Sequence, residues 1–174
     1  MLRFRPGSGI GQGTLDAQGG GSGLGGQSTV DRMARVYNDA DLSIANSTNI
    51  ALTFNQEEFD TDSFHSTTSN TDRLTIHMPG RYLLIGQVDW ANNAVGYRAL
   101  VLRKMPGAVN LATVEMDGVS FDDGGGGRQD VVTIAQLVAD DYVQLEVRQT
   151  SGAPLLVSTN PSYSPRFLIA RLSG

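Results

Sequence analysis

Beyond residue 30, apolar and polar side chains alternate along most of the chain with a period of two. In 142–148, Val143, Leu145 and Val147 fall on one side and Gln144, Glu146 and Arg148 on the other. That is the pattern of a strand with one face in a core and one in water. Read the same way, strands are expected over 33–37, 49–54, 73–78, 81–90, 96–104, 111–116, 129–138, 142–149, 155–158 and 166–172. Turn-forming residues separate them: Pro79-Gly80, Asn92-Asn93, Pro106-Gly107, Asp122-Asp123-Gly124 and Ser151-Gly152. No segment shows the periodicity of an amphipathic helix. Short strands at this spacing predict an all-β fold, a sandwich or a jelly roll.

Two segments break the alternation. In Tyr82-Leu83-Leu84-Ile85 and in Phe167-Leu168-Ile169-Ala170 both faces are apolar. Each sheet of a sandwich has one inner face, so an apolar outer face needs a second cover. The economical cover is another copy of the chain; a loop or the N-terminal segment folded over these strands is the alternative. The expected interface is Tyr82, Leu84, Phe167 and Ile169, or the alternates Leu83, Ile85, Leu168 and Ala170.

Residues 1–30 have a different composition. Ten of the chain's 21 glycines lie between Gly7 and Gly26, without the every-third spacing of collagen. Leu2, Phe4, Ile10, Leu15, Leu24 and Val30 are too few to make a core, so 1–30 is expected to be an extended arm or tether and 31–174 the folded domain. Gly21, Gly23 and Gly26 spell a dinucleotide fingerprint, but no strand precedes it and no helix follows.

Composition narrows the functions. The net charge is −5, from 13 basic and 18 acidic residues, which does not suit a nucleic-acid groove or an anionic membrane. With no cysteine, thiolate metal sites, disulfides and cysteine nucleophiles are excluded. No apolar run reaches the length of a membrane span. The start, Met1-Leu2-Arg3-Phe4-Arg5-Pro6, lacks the apolar stretch of a secretory signal, so release by cell lysis or within an assembled particle is the expectation.

Several landmarks occur in one order. Ala34-Arg35-Val36-Tyr37 opens the folded part, and Phe54 and Phe59-Asp60-Thr61-Asp62-Ser63-Phe64-His65 precede a long loop. Pro79-Gly80-Arg81-Tyr82-Leu83-Leu84 follows, then Leu137, Asp141, Val143 and Leu145, and last Tyr163-Ser164-Pro165-Arg166-Phe167-Leu168-Ile169 near the end. Together they resemble the C1q/TNF-like jelly-roll superfamily, nearest to bacterial and phage C1q-like domains. Two positions depart from it: Asp140 stands where glycine is usual before the aspartate, and Gly86 where an aromatic is common. The resemblance implies an all-β, ten-stranded, two-sheet jelly-roll sandwich in a compact homotrimer, whose inner sheet faces the threefold axis and contains the two strands apolar on both faces.

Candidate chemistry is sparse. His65 and His77 are the only histidines, and no nucleophile elbow is present, so no catalytic residue is assigned. His77 is expected to face solvent. The loop carboxylates Asp60, Asp62, Asp122 and Asp123 are of the type that ligates Ca²⁺, but ordinary acidic loops are the preferred reading, and no cofactor is expected. Gly124–Gly127 is expected to form a mobile hairpin tip. Asn46-Ser47-Thr48 is a glycosylation sequon only in a protein secreted by a eukaryote. Trp90, close to Tyr97, is expected to plug the core rather than stack on a sugar. The expected function is therefore a non-enzymatic homotrimer. It would decorate a capsid or cap a fibre at a bacteriophage virion surface, bound to a capsid or other virion protein through Leu2, Phe4, Ile10, Leu15 and Leu24. The alternative is a secreted or cell-surface ligand- or carbohydrate-binding module, extracellular, with a host surface glycan as partner.

Overall fold

A computed structural model describes residues 31–119, 127–159 and 165–173. Among these every regular element is a strand: β1 (Met33–Tyr37), β2 (Leu42–Ile44), β3 (Ile50–Ala51), β4 (Gln56–Asp60), β5 (Leu74–Thr75), β6 (Gly80–Trp90), β7 (Asn93–Met105), β8 (Val109–Val119), β9 (Gly127–Leu137), β10 (Tyr142–Gln149), β11 (Leu155–Val157) and β12 (Arg166–Ser173). Each segment predicted to be a strand contains one. β2 and β4 were not predicted. β4 reads Gln56-Glu57-Glu58-Phe59-Asp60, with one apolar residue, and lies at a sheet edge, where charge guards an exposed ladder.

The strands form two antiparallel sheets. The seven-stranded sheet runs β2-β11-β6-β12-β1-β4, with β9 on the other side of β6. The five-stranded sheet runs β3-β10-β7-β8, with β5 sharing the outer edge of β10. Alternation decides what each sheet buries. Val36, Tyr82, Leu84, Val88, Phe167 and Ile169 point inward from the first sheet, and Leu100, Leu102, Val143, Leu145 and Val147 from the second. Aromatic rings lock the layers together: Phe54 sits 6.0 Å from Phe167, and Phe64 meets Tyr82 edge-on at 6.1 Å. The Tyr82 ring is in the core while its hydroxyl donates to the Met78 carbonyl at 2.6 Å, which satisfies the one polar atom it buries. Burial pushes the Tyr82 phenol above its ordinary value.

Asp140 and Gly86, the two positions that depart from the resemblance, have local causes. Gly86 faces inward between Phe167 and Val131, and Leu145 of the opposite sheet fills the notch its missing side chain leaves. Asp140 has φ 69°, the left-handed conformation that glycine adopts most easily and that aspartate tolerates better than most. Next to it, Asp141 accepts from the Val138 amide and lies 3.4 Å from Lys104 Nζ, closing the tight turn into β10.

Candidate assembly interface

The apolar outer face lies on the seven-stranded sheet. β6 is central there, paired along its length with β9 and on the other side with β12. The register arranges outward side chains in cross-strand rows. Ile134, Leu83, Ala170 and Met33 make one row, and Val132, Ile85, Leu168 and Arg35 the next. Val132 is 61% exposed and Ile134 60%. A third row, Asp130, Gln87, Arg166 and Tyr37, is polar.

This polar row and its flank are fixed by pairing. Asp130 accepts from Gln87 at 2.7 Å and pairs with Arg128 at 3.1 Å. Arg35 donates to Glu58, lies 5.4 Å over the Phe59 ring, and shares Glu58 with Arg166 at 3.8 Å. The Arg35 hydrogen bond holds the Glu58 carboxyl below its ordinary value, assisted by the Arg35 and Arg166 charges and opposed by partial desolvation. An apolar centre with charges fixed at its margin is the layout of a protein–protein interface.

Of the two interface sets expected from the sequence, Tyr82, Leu84, Phe167 and Ile169 are each 0% exposed inside a single chain. They hold the sandwich together and have no surface to give a second copy. Leu83, Ile85, Leu168 and Ala170 are the outward set. Val132 and Ile134 complete it and were missed; the signal was the doubled Val131-Val132, which makes β9 apolar on both faces. The arm residues Leu2, Phe4, Ile10, Leu15 and Leu24, the glycine fingerprint, Asp122, Asp123 and residues 124–126 of the expected hairpin tip lie outside the described residues.

The other candidates have structural partners. His65 is buried, with Nδ1 2.9 Å from Glu57 Oε1 and Nε2 3.3 Å from the Thr71 carbonyl. His77 is exposed, its Nε2 2.9 Å from the Ser63 carbonyl. Neither imidazole touches a hydroxyl nucleophile among the described residues. Asp60 accepts from the amides of Asp62, Phe64 and His65, and Asp62 pairs with Arg32, so the suggested calcium ligands organise their own loop. No cluster of three metal-ligating side chains occurs among the described residues. Trp90 is 1% exposed and donates to Gln129 at 2.7 Å. Arg98, buried beneath the β6–β7 connection, donates to the carbonyls of Asn93, Val95 and Tyr97, and desolvation lowers its affinity for a proton.

No protein-family model matches the chain, and no curated protein matches it in sequence. Solved structures do match in fold. A TNF called Eiger from S. frugiperda is 15% identical, with 82% of this chain and 93% of that one aligned and a TM-score of 0.61. Murine APRIL is 15% identical over 82% and 99%, with a TM-score of 0.62. The globular domain of zebrafish complement 1qA is 14% identical over 82% and 97%, with a TM-score of 0.57. The fold is the C1q/TNF-like jelly roll.

Proposed function

We propose that the chain is a non-enzymatic structural or binding module that works as a homotrimer on the surface of a bacteriophage virion. It decorates a capsid or caps a fibre, held to a capsid or other virion protein by its N-terminal arm. The observation that carries the reading is the pair of outward rows, with Leu83 and Ile134 in one and Ile85, Val132 and Leu168 in the next, on a jelly roll of this type. Burying that face removes apolar area from water at about 25 cal/mol per Å², and closing three copies around one axis brings the three faces together and leaves no open end. The virion setting is supported by the composition of residues 1–30, ten glycines with few apolar residues among them, which suits a tether.

The test has two parts. Light scattering should give the mass of three chains, and Ile134→Asp or Leu83→Asp should yield folded monomer, because an unpaired charge in an apolar interface costs several kcal/mol. Leu84→Asp and Phe167→Asp are unsuitable, since they would unfold the chain itself. A chain lacking residues 1–26 should stay a folded trimer but no longer occupy undecorated particles; full occupancy would move the attachment to the jelly roll. A monomeric wild type would end the assembly reading. A second reading, an extracellular ligand- or carbohydrate-binding module, is favoured by an open polar groove on the five-stranded sheet.

A further inference from the structure

The outer face of the five-stranded sheet, on the far side of the sandwich from the apolar rows, carries an open groove of about 180 Å³. It runs along β7. Ala99 and Val101 form its floor: Ala99 is shorter than both cross-strand neighbours, Arg148 and Glu115, and Val101 is shorter than Glu146 on β10. Ala99 lies in register between Arg148 and Glu115, and Val101 between Glu146 and Thr113. The flanking strands are two spacings apart, about 9.5 Å, so Arg148 and Glu115 stand on opposite sides of the floor, and among the described residues no ion pair joins them.

The groups on the walls are unevenly satisfied. Arg103 Nε lies 2.8 Å from Glu146 Oε2, an ion pair by proximity, although that N–H is not aligned for a hydrogen bond. Among the described residues, Arg148 has the Tyr97 ring 5.9 Å away and its buried Nε has no hydrogen-bond partner. Among the described residues the side chains of Glu115, Asn49, Asn110 and Thr113 make no hydrogen bond. Donors and acceptors thus converge on one shallow space.

We propose that this groove binds a neutral sugar unit, with Arg148 and Glu115 clamping hydroxyls from opposite walls over the Ala99–Val101 floor. Two arginines and two glutamates cancel, so the groove has no net attraction for a phosphate, an acidic sugar or a charged peptide. It lies on a sheet face and not at an edge, so it offers no ladder to an extended peptide. A hydroxyl both donates and accepts, and therefore suits a guanidinium on one wall and a carboxylate on the other. The small apolar floor suits the C–H face of a ring. The proposal deepens the binding-module reading and does not depend on the trimer. Assembly through the opposite sheet would leave three grooves open and raise avidity for a polyvalent glycan.

The test is titration calorimetry of the full chain with the methyl glycosides of glucose, galactose, mannose and N-acetylglucosamine. N-acetylneuraminic acid and a short mixed-sequence peptide serve as the competing classes. At least one neutral glycoside should bind with Kd of about 1 mM, as expected for one small ligand on a few exposed hydrogen bonds. Glu115→Gln and Arg148→Ala should each weaken it roughly tenfold or more, about 1.4 kcal/mol, and Ala99→Leu should block it by filling the floor. Glu115→Gln keeps the shape of the side chain, so it decides the matter even where Ala99→Leu does not fold. Failure of every neutral glycoside, preference for the acidic sugar or the peptide, or affinity indifferent to Glu115→Gln would each overturn the proposal. Light scattering of the same samples reports assembly separately, so loss of the trimer and loss of the sugar site are distinguishable.

Discussion

Gly86→Ala measures how tightly the two sheets interlock. A methyl group at this position would sit 2.3 Å from Leu145 Cδ1, 3.0 Å from Cδ2 and 3.1 Å from Val131 Cγ1. Leu145 is 0% exposed and Val131 1%, so neither can swing into solvent to make room. Overpacking a core by a methyl group costs roughly 1–3 kcal/mol. Replacing glycine gives back about 0.5–1 kcal/mol, because alanine has less freedom to lose on folding. The 2.3 Å approach to a side chain with no room to yield puts the cost in the upper half of that range, so the net is about 1–2.5 kcal/mol of destabilisation, or roughly 3–8 °C in Tm for a domain of this size. Thermal unfolding followed by circular dichroism, on samples of equal oligomeric state, reads it directly. Leu145→Ala alone should cost about 2–5 kcal/mol. The double variant should cost less than the sum, with a coupling of at least 0.5 kcal/mol, since the new methyl enters the space the leucine vacates. An unchanged or raised Tm in Gly86→Ala, or strict additivity in the double variant, would refute the account of the notch.

Much of the fold was legible because burial is one-sided in most strands. In β10 the alternation from Val143 to Val147 is complete, and its predicted limits coincide with the observed ones. In β6 and β12 both alternating sets are apolar, so the pattern there gives a strand without saying which set faces in. Parity with the neighbours contains the answer. Gln87 and Asp89 share a face with Leu83, and Arg166 shares one with Leu168, so these polar residues mark the outer side; Val88 and Trp90 share the inner side with Tyr82. β2 and β4 escaped because three residues are too few for a period and because β4 buries almost nothing.

The surfaces were less legible than the strands. The outward rows depend on pairing between β6, β9 and β12, which the local pattern does not specify. The groove needs more still. Its floor exists only because Ala99 is placed between Glu115 and Arg148, residues far apart in the chain that β-register alone makes neighbours. Tyr97, weighed in the sequence together with Trp90 as a sugar platform, does line the groove, while Trp90 is sealed in the core.

Two further perturbations probe the turns and the charged margin. Asp140 sits at φ 69°, so Asp140→Gly should keep or raise Tm, whereas the β-branched Asp140→Val should lose about 1–2 kcal/mol; equal tolerance of the two would show that the turn relaxes. Glu58 links acid sensitivity to the margin of the apolar face. The Arg35 hydrogen bond, foremost, and the Arg35 and Arg166 charges hold its carboxyl below the ordinary value of 4.5, so the folded state binds a proton there less readily than the unfolded chain does. Its contribution is therefore complete above the unfolded pKa and is lost as pH falls through the lower, folded one. Glu58→Gln removes the charge and keeps the shape. The Tm of the wild type should exceed that of Glu58→Gln at neutral pH, by a small amount because the group is exposed and screened by solvent. The difference should shrink as the solution is acidified below about pH 4.5, the unfolded value, and it should also shrink with added salt at neutral pH. A difference that is flat with pH, or that widens toward acid, would mean that Glu58 is not paired in solution as it is in the structure.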